Sequence, residues 1–175
     1  TTEPRRYEAS NCIVVDRDAS VVECCSSPGT GSGFVFQVEL DGQTSEAYAH
    51  QLEDTGFHPP IVQELRPTEQ GKWSDGGGQM LIRGEYFGDR TQMIDSVVYG
   101  QGDANGTYEF QATGCLIDSN NPHTQILCLT DQQAGQGLGW SVRIDGQQSE
   151  LAKTNYAPPT ILGFDRTTGF STRGG

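Results

Sequence analysis

An internal repeat of about 100 residues constrains the fold of this chain more than any other feature of its sequence. Residues 11–45 and 114–149 carry the same order of cysteines, alternating apolar residues and a terminal Asp-Gly pair. Cys115 lies 103 residues after Cys12, and the Asp-Gly pair recurs after 104 residues. A period of this length is the size of one β-sandwich domain. We therefore expect tandem domains of one fold rather than a single large domain.

Two proline pairs, Pro59-Pro60 and Pro158-Pro159, recur 99 residues apart and mark the boundaries of the repeat. Proline fixes φ and removes a backbone donor, so each pair predicts a stiff link between neighbouring domains. The sequence accordingly predicts three parts: the second half of one repeat over residues 1–58, a complete repeat over residues 59–159, and the start of the next over residues 160–175.

Composition and alternation predict an all-β fold. The chain has 23 glycines and 8 prolines, and 34% of its residues are hydrophobic, a mix that suits short strands and turns. Trp140, Val142 and Ile144 alternate with polar residues, and an Asp-Gly pair follows, which favours a type I′ hairpin turn. Short strands separated by frequent turns are typical of a β-sandwich. Within the complete repeat we predict strands over residues 61–65, 79–87, 94–99, 108–112, 115–117, 125–129 and 140–145.

The cysteines predict disulfides and therefore an extracellular or cell-surface location. Their recurring spacing pairs Cys12 with Cys24 and Cys115 with Cys128. Alternation predicts that Cys24 points into the core toward Cys12 and that Cys25 points the other way, so Cys25 is left over. Two hypotheses for Cys25 stay open: a thiol packed against a neighbouring module, or an intermolecular disulfide.

Charge and hydropathy exclude two classes of partner. The formal net charge is −12 and the sequence pI is about 4.4, so phosphate backbones and anionic membrane surfaces would be repelled. No stretch approaches the roughly 18 apolar residues that a membrane helix needs. We expect neither nucleic-acid binding nor membrane insertion.

One modification site is predicted, at Asn105. The tripeptide Asn105-Gly106-Thr107 fits the acceptor pattern for N-glycosylation and lies in a polar, glycine-rich loop. The alternative is that the Asn-Gly pair only makes a tight turn.

Other candidate motifs are interpreted as structural. The glycine-rich stretch 135–139 precedes a strand rather than a helix, so it lacks the helix N-terminus that binds phosphate and is predicted to be a turn. The histidines do not lie at metal-ligand spacing, and the acidic residues form no calcium-binding run. We expect no metal, no cofactor and no catalytic residue, and hence no enzyme. The residues concerned are His50, His58, His123, Glu64, Asp75, Asp89, Asp95 and Asp103.

Several motifs occur in a fixed order along the chain. They are Pro59-Pro60-Ile61, Gly76-Gly77, Arg83-Gly84-Glu85-Tyr86-Phe87-Gly88, Val97-Val98-Tyr99-Gly100, Cys115 with Cys128, Val142 with Asp145-Gly146, and Tyr156-Ala157-Pro158-Pro159. Their order and spacing resemble the IPT/TIG family of immunoglobulin-like domains, of E-set type, which occurs in plexins and in many large surface proteins. The resemblance covers nearly the whole chain and implies an immunoglobulin-like β-sandwich in tandem repeats.

The resemblance also implies a non-catalytic role as a rigid spacer or adhesive module. Our first hypothesis is a structural repeat of a large extracellular glycoprotein that forms a stalk, sheath or filament. Its partners would be neighbouring repeats of the same chain and other copies. A second hypothesis is an adhesion or receptor ectodomain that binds a protein or glycan ligand. A weaker one is an accessory module of a secreted carbohydrate-acting enzyme.

Overall fold

The computed structural model describes residues 7–16, 21–49, 55–68, 78–101, 108–131, 135–154 and 161–162. Over these ranges the chain is all-β: every sheet is antiparallel, and the only helical element is one turn of 3-10 helix at Thr91–Met93. Apart from residues 58–60 and 161–162, the described residues fall into two parts, which we call the N-terminal segment (residues 7–57) and the two-sheet unit (residues 61–154).

Short strands form three separate pairs in the N-terminal segment, β1 with β2, β3 with β6, and β4 with β5. The strands are β1 (Ser10–Val14), β2 (Val22–Cys25), β3 (Val35–Phe36), β4 (Glu39–Leu40), β5 (Gln43–Thr44) and β6 (Tyr48–Ala49).

Nine strands build the two-sheet unit. They are β7 (Ile61–Pro67), β8 (Gln79–Glu85), β9 (Ile94–Gly100), β10 (Phe110–Gln111), β11 (Thr113–Ile117), β12 (Gln125–Leu129), β13 (Leu138–Ile144), β14 (Gln147–Gln148) and β15 (Ala152–Thr154). One sheet has the order β11-β12-β8-β7, and the other has β10-β9-β13-β14 with β15 also paired to β13.

A single core lies between these two sheets. Met80, Ile82 and Ile126 come from the first sheet, while Tyr99 and Trp140 come from the second, and all are almost fully buried. The Tyr99 and Trp140 rings stack with centroids 4.3 Å apart and planes 9° from parallel. Two antiparallel sheets around one apolar core are consistent with a β-sandwich.

The structure contains the predicted strands, but the ends of most of them are shifted. β12 has the predicted bounds, whereas β8 ends at Glu85 instead of residue 87. Tyr86 has φ = 64°, which breaks the extended backbone, and the Phe87 N–H donates to the His123 carbonyl rather than to a neighbouring strand. The predicted strand over 108–112 is reduced to Phe110–Gln111.

Both Asp-Gly pairs form the predicted type I′ turn. Asp41 and Gly42 have φ of 50° and 77°, and Asp145 and Gly146 have φ of 51° and 84°. A type I′ turn needs positive φ at both central residues, which aspartate and glycine tolerate best.

The hairpins β1–β2 and β11–β12 have the same register. Ser10 pairs with Cys25 as Thr113 pairs with Leu129, and both hairpins shift register before the next pair. Val14 then pairs with Val22, just as the last residues of β11 pair with the first ones of β12. The residue after the first pair has positive φ in both hairpins, 52° in one and 56° in the other.

Candidate functional site

The N-terminal segment contacts the two-sheet unit through a loop around Thr30 and Gly31. Both residues are buried, with Thr30 only 3% exposed, although most of the segment around them is exposed. The two-sheet unit meets this loop with Met93 and with the turn between β13 and β14. We call this contact the junction.

A hydroxyl–carboxylate hydrogen bond lies at the centre of the junction. The Thr30 Oγ1 lies 2.9 Å from Asp145 Oδ2 and 3.2 Å from the Met93 sulfur. A hydroxyl has one proton to donate, and a carboxylate oxygen is a much stronger acceptor than a thioether. Thr30 therefore donates to Asp145, while Met93 provides van der Waals contact.

The Gln147 side chain makes hydrogen bonds to the backbone of the N-terminal segment at two places, Gly31 and Phe57. Its Oε1 accepts from the Gly31 N–H at 3.1 Å, and its Nε2 donates to the Phe57 carbonyl at 2.9 Å. Gly31 and Phe57 are themselves joined, because the Phe57 N–H donates to the Gly31 carbonyl at 2.9 Å. The carboxamide of Gln147 thus accepts one hydrogen bond and donates another across the junction.

Three aromatic rings of the N-terminal segment form a cluster beside the loop that contains Thr30 and Gly31. Tyr7, Phe34 and Phe57 contact one another edge to face, with centroids 5.3 to 5.6 Å apart. The Thr30 N–H donates to the Tyr7 hydroxyl at 3.2 Å, and that hydroxyl lies 3.1 Å from the Thr30 carbonyl. At Gly29 an added Cβ would lie within 2.7 Å of the Tyr7 and Phe57 rings, so only glycine fits there.

The turn of the two-sheet unit is also fixed before it meets the loop. The Gly146 N–H donates to Asp95 Oδ2 at 2.7 Å, and the Asp145 N–H donates to the Met93 carbonyl at 3.0 Å. Both partners of the junction are therefore positioned by bonds within their own part of the chain, which is the condition for a contact of defined geometry.

A cleft of about 580 Å³ lies beside the junction. Its walls include Glu8 from the N-terminal segment and Asp89 and Arg90 from the two-sheet unit. Arg90 lies 3.6 Å from the Asp89 carboxylate, and both side chains are largely exposed. The cleft therefore combines both parts of the chain with charges of both signs.

The structure contains disulfides at both predicted positions, Cys12–Cys24 and Cys115–Cys128, each with Cα atoms 4.1 Å apart. Cys128 is buried in the core, as its alternation predicts. The prediction that Cys24 points into the core is wrong for the described structure, because every residue of β2 is exposed. Cys25 is a free, exposed thiol.

The remaining predicted residues do not come together. His58 lies on the Tyr86 ring with centroids 5.0 Å apart, and His123 uses its backbone to join Gly88 and Phe87. Glu64 accepts hydrogen bonds from arginines, whereas Asp95 holds the β13–β14 turn. In the part of the chain that the structure describes, no three His, Cys, Asp or Glu side chains form a metal-binding group. Four predicted residues lie outside the described ranges: His50, Asp75, Asp103 and Asn105.

Sequence reasoning missed the junction residues Thr30 and Gln147. Gln147 follows an Asp-Gly pair that also occurs at Asp41-Gly42-Gln43, so the triplet as a whole recurs with the repeat. That recurrence was the available signal. A threonine or a glutamine by itself carries none, because their partners lie 115 and 116 residues away in the chain.

No known protein family, no curated protein and no solved structure matches this chain. The two disulfides indicate folding in an oxidising compartment, as expected of an extracellular protein. None of the described residues forms a helix that could span a membrane.

Proposed function

We propose that this chain is a non-catalytic structural part of a large extracellular protein, built from tandem immunoglobulin-like repeats of the IPT/TIG type. The observation that carries the proposal is the junction, in which Thr30, Gly31 and Phe57 are bonded to Asp145 and Gln147. A contact with this many directed bonds serves to fix the orientation of neighbouring repeats, which is the main requirement of a spacer in a stalk, sheath or filament.

The position of the junction within a repeat supports an extended array. In the N-terminal segment, residues 34–40 separate the loop at Gly31 from the turn at Asp41. In the two-sheet unit, β13 separates residues 135–137 from the turn at Asp145. A strand of seven residues is roughly 23 Å long. The loop and the turn therefore lie at opposite ends of a repeat.

Contacts between unlike ends propagate head to tail. A heterologous interface that does not close on itself generates an open array, whereas a two-fold interface generates a closed dimer. The Asp41-Gly42-Gln43 turn has the sequence of the turn that binds Gly31, so it is suited to bind the loop of a preceding repeat. Neighbouring repeats of the same chain are the partners that we propose.

The experiment is a distance measurement across the junction by electron spin resonance. Spin labels are placed at Thr44→Cys and Gln111→Cys, both exposed positions, in a Cys25→Ser background. We expect one narrow distance distribution. Gln147→Ala removes two bonds of the junction and is expected to broaden it.

The matched control is Gln148→Ala, which removes the same side chain one residue further along β14. Gln148 donates to Ser141 Oγ within the two-sheet unit at 2.9 Å and does not take part in the junction. Its distribution is expected to stay narrow. A broad distribution in the parent chain would exclude a rigid spacer.

A ligand-binding role as an adhesion or receptor ectodomain is the second candidate, and the open cleft beside the junction is where it can be tested. Binding there predicts that an added glycan or peptide shifts the NMR signals of Glu8 and Arg90 while the distance across the junction stays constant. A structural spacer predicts no such shifts.

A further inference from the structure

The N-terminal segment has an apolar face that nothing in the described structure covers. Val14, Val22, Phe36, Val38 and Leu40 are each between 37% and 61% exposed. Exposure alone does not distinguish these five side chains, because alternating neighbours such as Ile13 and Val35 are 59% and 57% exposed. Their counterparts in the two-sheet unit do distinguish them. We call these five side chains the open face.

Each residue of the open face has a buried counterpart in the two-sheet unit. The matching register of the two hairpins equates Val22 with Ile126, which is fully buried. Phe36 corresponds to Trp140, which is 1% exposed and lies 104 residues further along the chain. The other three members correspond to core residues in the same way: Val14 to Ile117, Val38 to Val142 and Leu40 to Ile144.

Hydrogen bonds fix the same correspondence independently of the apolar side chains. The Val38 N–H donates to Ser45 Oγ at 3.0 Å, and the Val142 N–H donates to Ser149 Oγ at 3.0 Å. The Ser45 N–H returns a bond to the Val38 carbonyl, as the Ser149 N–H does to Val142. The open face therefore has the local geometry of a core that lacks its other half.

The two-sheet unit identifies that other half. There β12 pairs with β8, so that Ile126 lies opposite Ile82 and Cys128 opposite Met80. In the N-terminal segment the corresponding strand β2 pairs with β1, and no described strand pairs with its other edge. A free strand edge next to exposed apolar residues is a template for strand addition.

We propose that the open face is covered by a segment ahead of Thr1 that contains three strands equivalent to β7, β8 and β9. The inference rests on the proposed function, since it assumes a repeated fold. The position of the segment follows from the register: Tyr7 corresponds to Phe110, which follows β9 in the chain, so the covering strands precede residue 7. A second copy of the chain is the rival occupant, but its own β7, β8 and β9 are already paired.

The test extends the chain with its own sequence. Residues 59–103 are duplicated directly ahead of Thr1, which restores the 103-residue spacing of the repeat. Amide hydrogen exchange of Val22, Phe36 and Val38 is then measured by NMR. We expect exchange at these amides to slow by about tenfold or more relative to the parent chain, and binding of an apolar dye to fall.

The control is the same extension with Met80→Asp and Ile82→Asp in the duplicated copy only, which is expected to leave exchange and dye binding as in the parent chain. A second extension, with a glycine–serine joint before Thr1, guards against a strained connection. The proposal would be overturned if the Val22 and Phe36 amides exchange as fast in both extensions as in the parent chain while the two-sheet unit stays folded. Protection that appears in the parent chain with rising concentration would overturn it in favour of a second copy.

These outcomes are separate from those of the proposed function. The junction lies on Thr30, Asp145 and Gln147, none of which belongs to the open face. A narrow spin-label distance in the parent chain together with an uncovered face in both extensions would keep the spacer role and reject the covering strands.

Discussion

Thr30 and Asp145 are joined by a hydrogen bond of 2.9 Å across a sequence separation of 115 residues. The hydroxyl is buried, and the carboxylate belongs to a turn whose backbone is held by Asp95 and Met93. Each of the two groups is held in place by hydrogen bonds within its own part of the chain. The bond between them therefore restricts how the N-terminal segment is oriented on the two-sheet unit.

Thr30→Val is expected to weaken the junction. The substitution keeps the shape of the side chain but leaves the Asp145 carboxylate without this donor, which costs about 1.5–3 kcal/mol for a bond to a charged group. Exchange of the amides in residues 29–34 should speed up accordingly. Thr113→Val is the matched control, since Thr113 is exposed on β11. Equal exchange in both variants would show that the bond contributes nothing to orientation.

The two disulfides are expected to differ in their contribution to stability. Each closes a short loop, with sequence separations of 12 and 13 residues, and such a loop is worth about 3 kcal/mol in the chain-entropy model. Replacing Cys115 and Cys128 with alanine should lower the free energy of unfolding of the two-sheet unit by at least about that amount, because Cys128 is also buried.

Replacing Cys12 and Cys24 with alanine should instead act locally. β1 and β2 are exposed on both faces, so their disulfide stabilises the hairpin and leaves the distant core unchanged. We expect faster exchange in the hairpin and an unaltered urea midpoint for the two-sheet unit. Cys25→Ser, which alters an exposed thiol, is the control for both pairs. A fall in the midpoint of the two-sheet unit would contradict this expectation.

The stacked pair Tyr99 and Trp140 is expected to dominate core stability. Trp140→Ala should cost about 3–5 kcal/mol because it leaves a large cavity between the sheets. Trp140→Phe should cost less, about 1–2 kcal/mol, since it keeps a stacked ring and the indole N–H has no hydrogen-bond partner among the described residues. Urea unfolding gives both values, and equal losses would show that ring stacking is unimportant.

Asp118 is expected to titrate below an ordinary aspartate. The Asn121 side-chain amide donates to its carboxylate at 2.9 Å, and the Asn120 backbone N–H donates at 3.0 Å, and both bonds lower the pKa of Asp118. A depressed folded pKa stabilises the fold above the unfolded value of about 3.9. That contribution is lost as the pH falls through the folded pKa.

Carboxyl NMR titration measures the pKa of Asp118 directly. Asn121→Ala removes the strongest of the stabilising bonds and is expected to move the pKa back up, while Asn120→Ala, which keeps the backbone donor, should move it less. An unchanged pKa in Asn121→Ala would show that the side-chain amide is not the cause.

Strand positions were largely predictable because they depend on local sequence. The alternation of Trp140, Val142 and Ile144 gave β13. The Asp-Gly pairs gave the type I′ turns at equivalent positions of the two units, since positive φ is tolerated by few residues. The end of β8 was not predictable. Tyr86 adopts positive φ there because Phe87 bonds to the His123 carbonyl, a partner that is distant in sequence.

The sequence by itself determined the elements that repeat along this chain: the spacing of the cysteines, the alternating strands and the turn triplets. Each of these depends on neighbours a few residues away or on a comparison of the chain with itself. Only the tertiary structure decided where Thr30 and Gln147 act and which apolar residues lie exposed. Their roles depend on partners more than 100 residues distant, and no local pattern records which side chains meet when the strands are assembled.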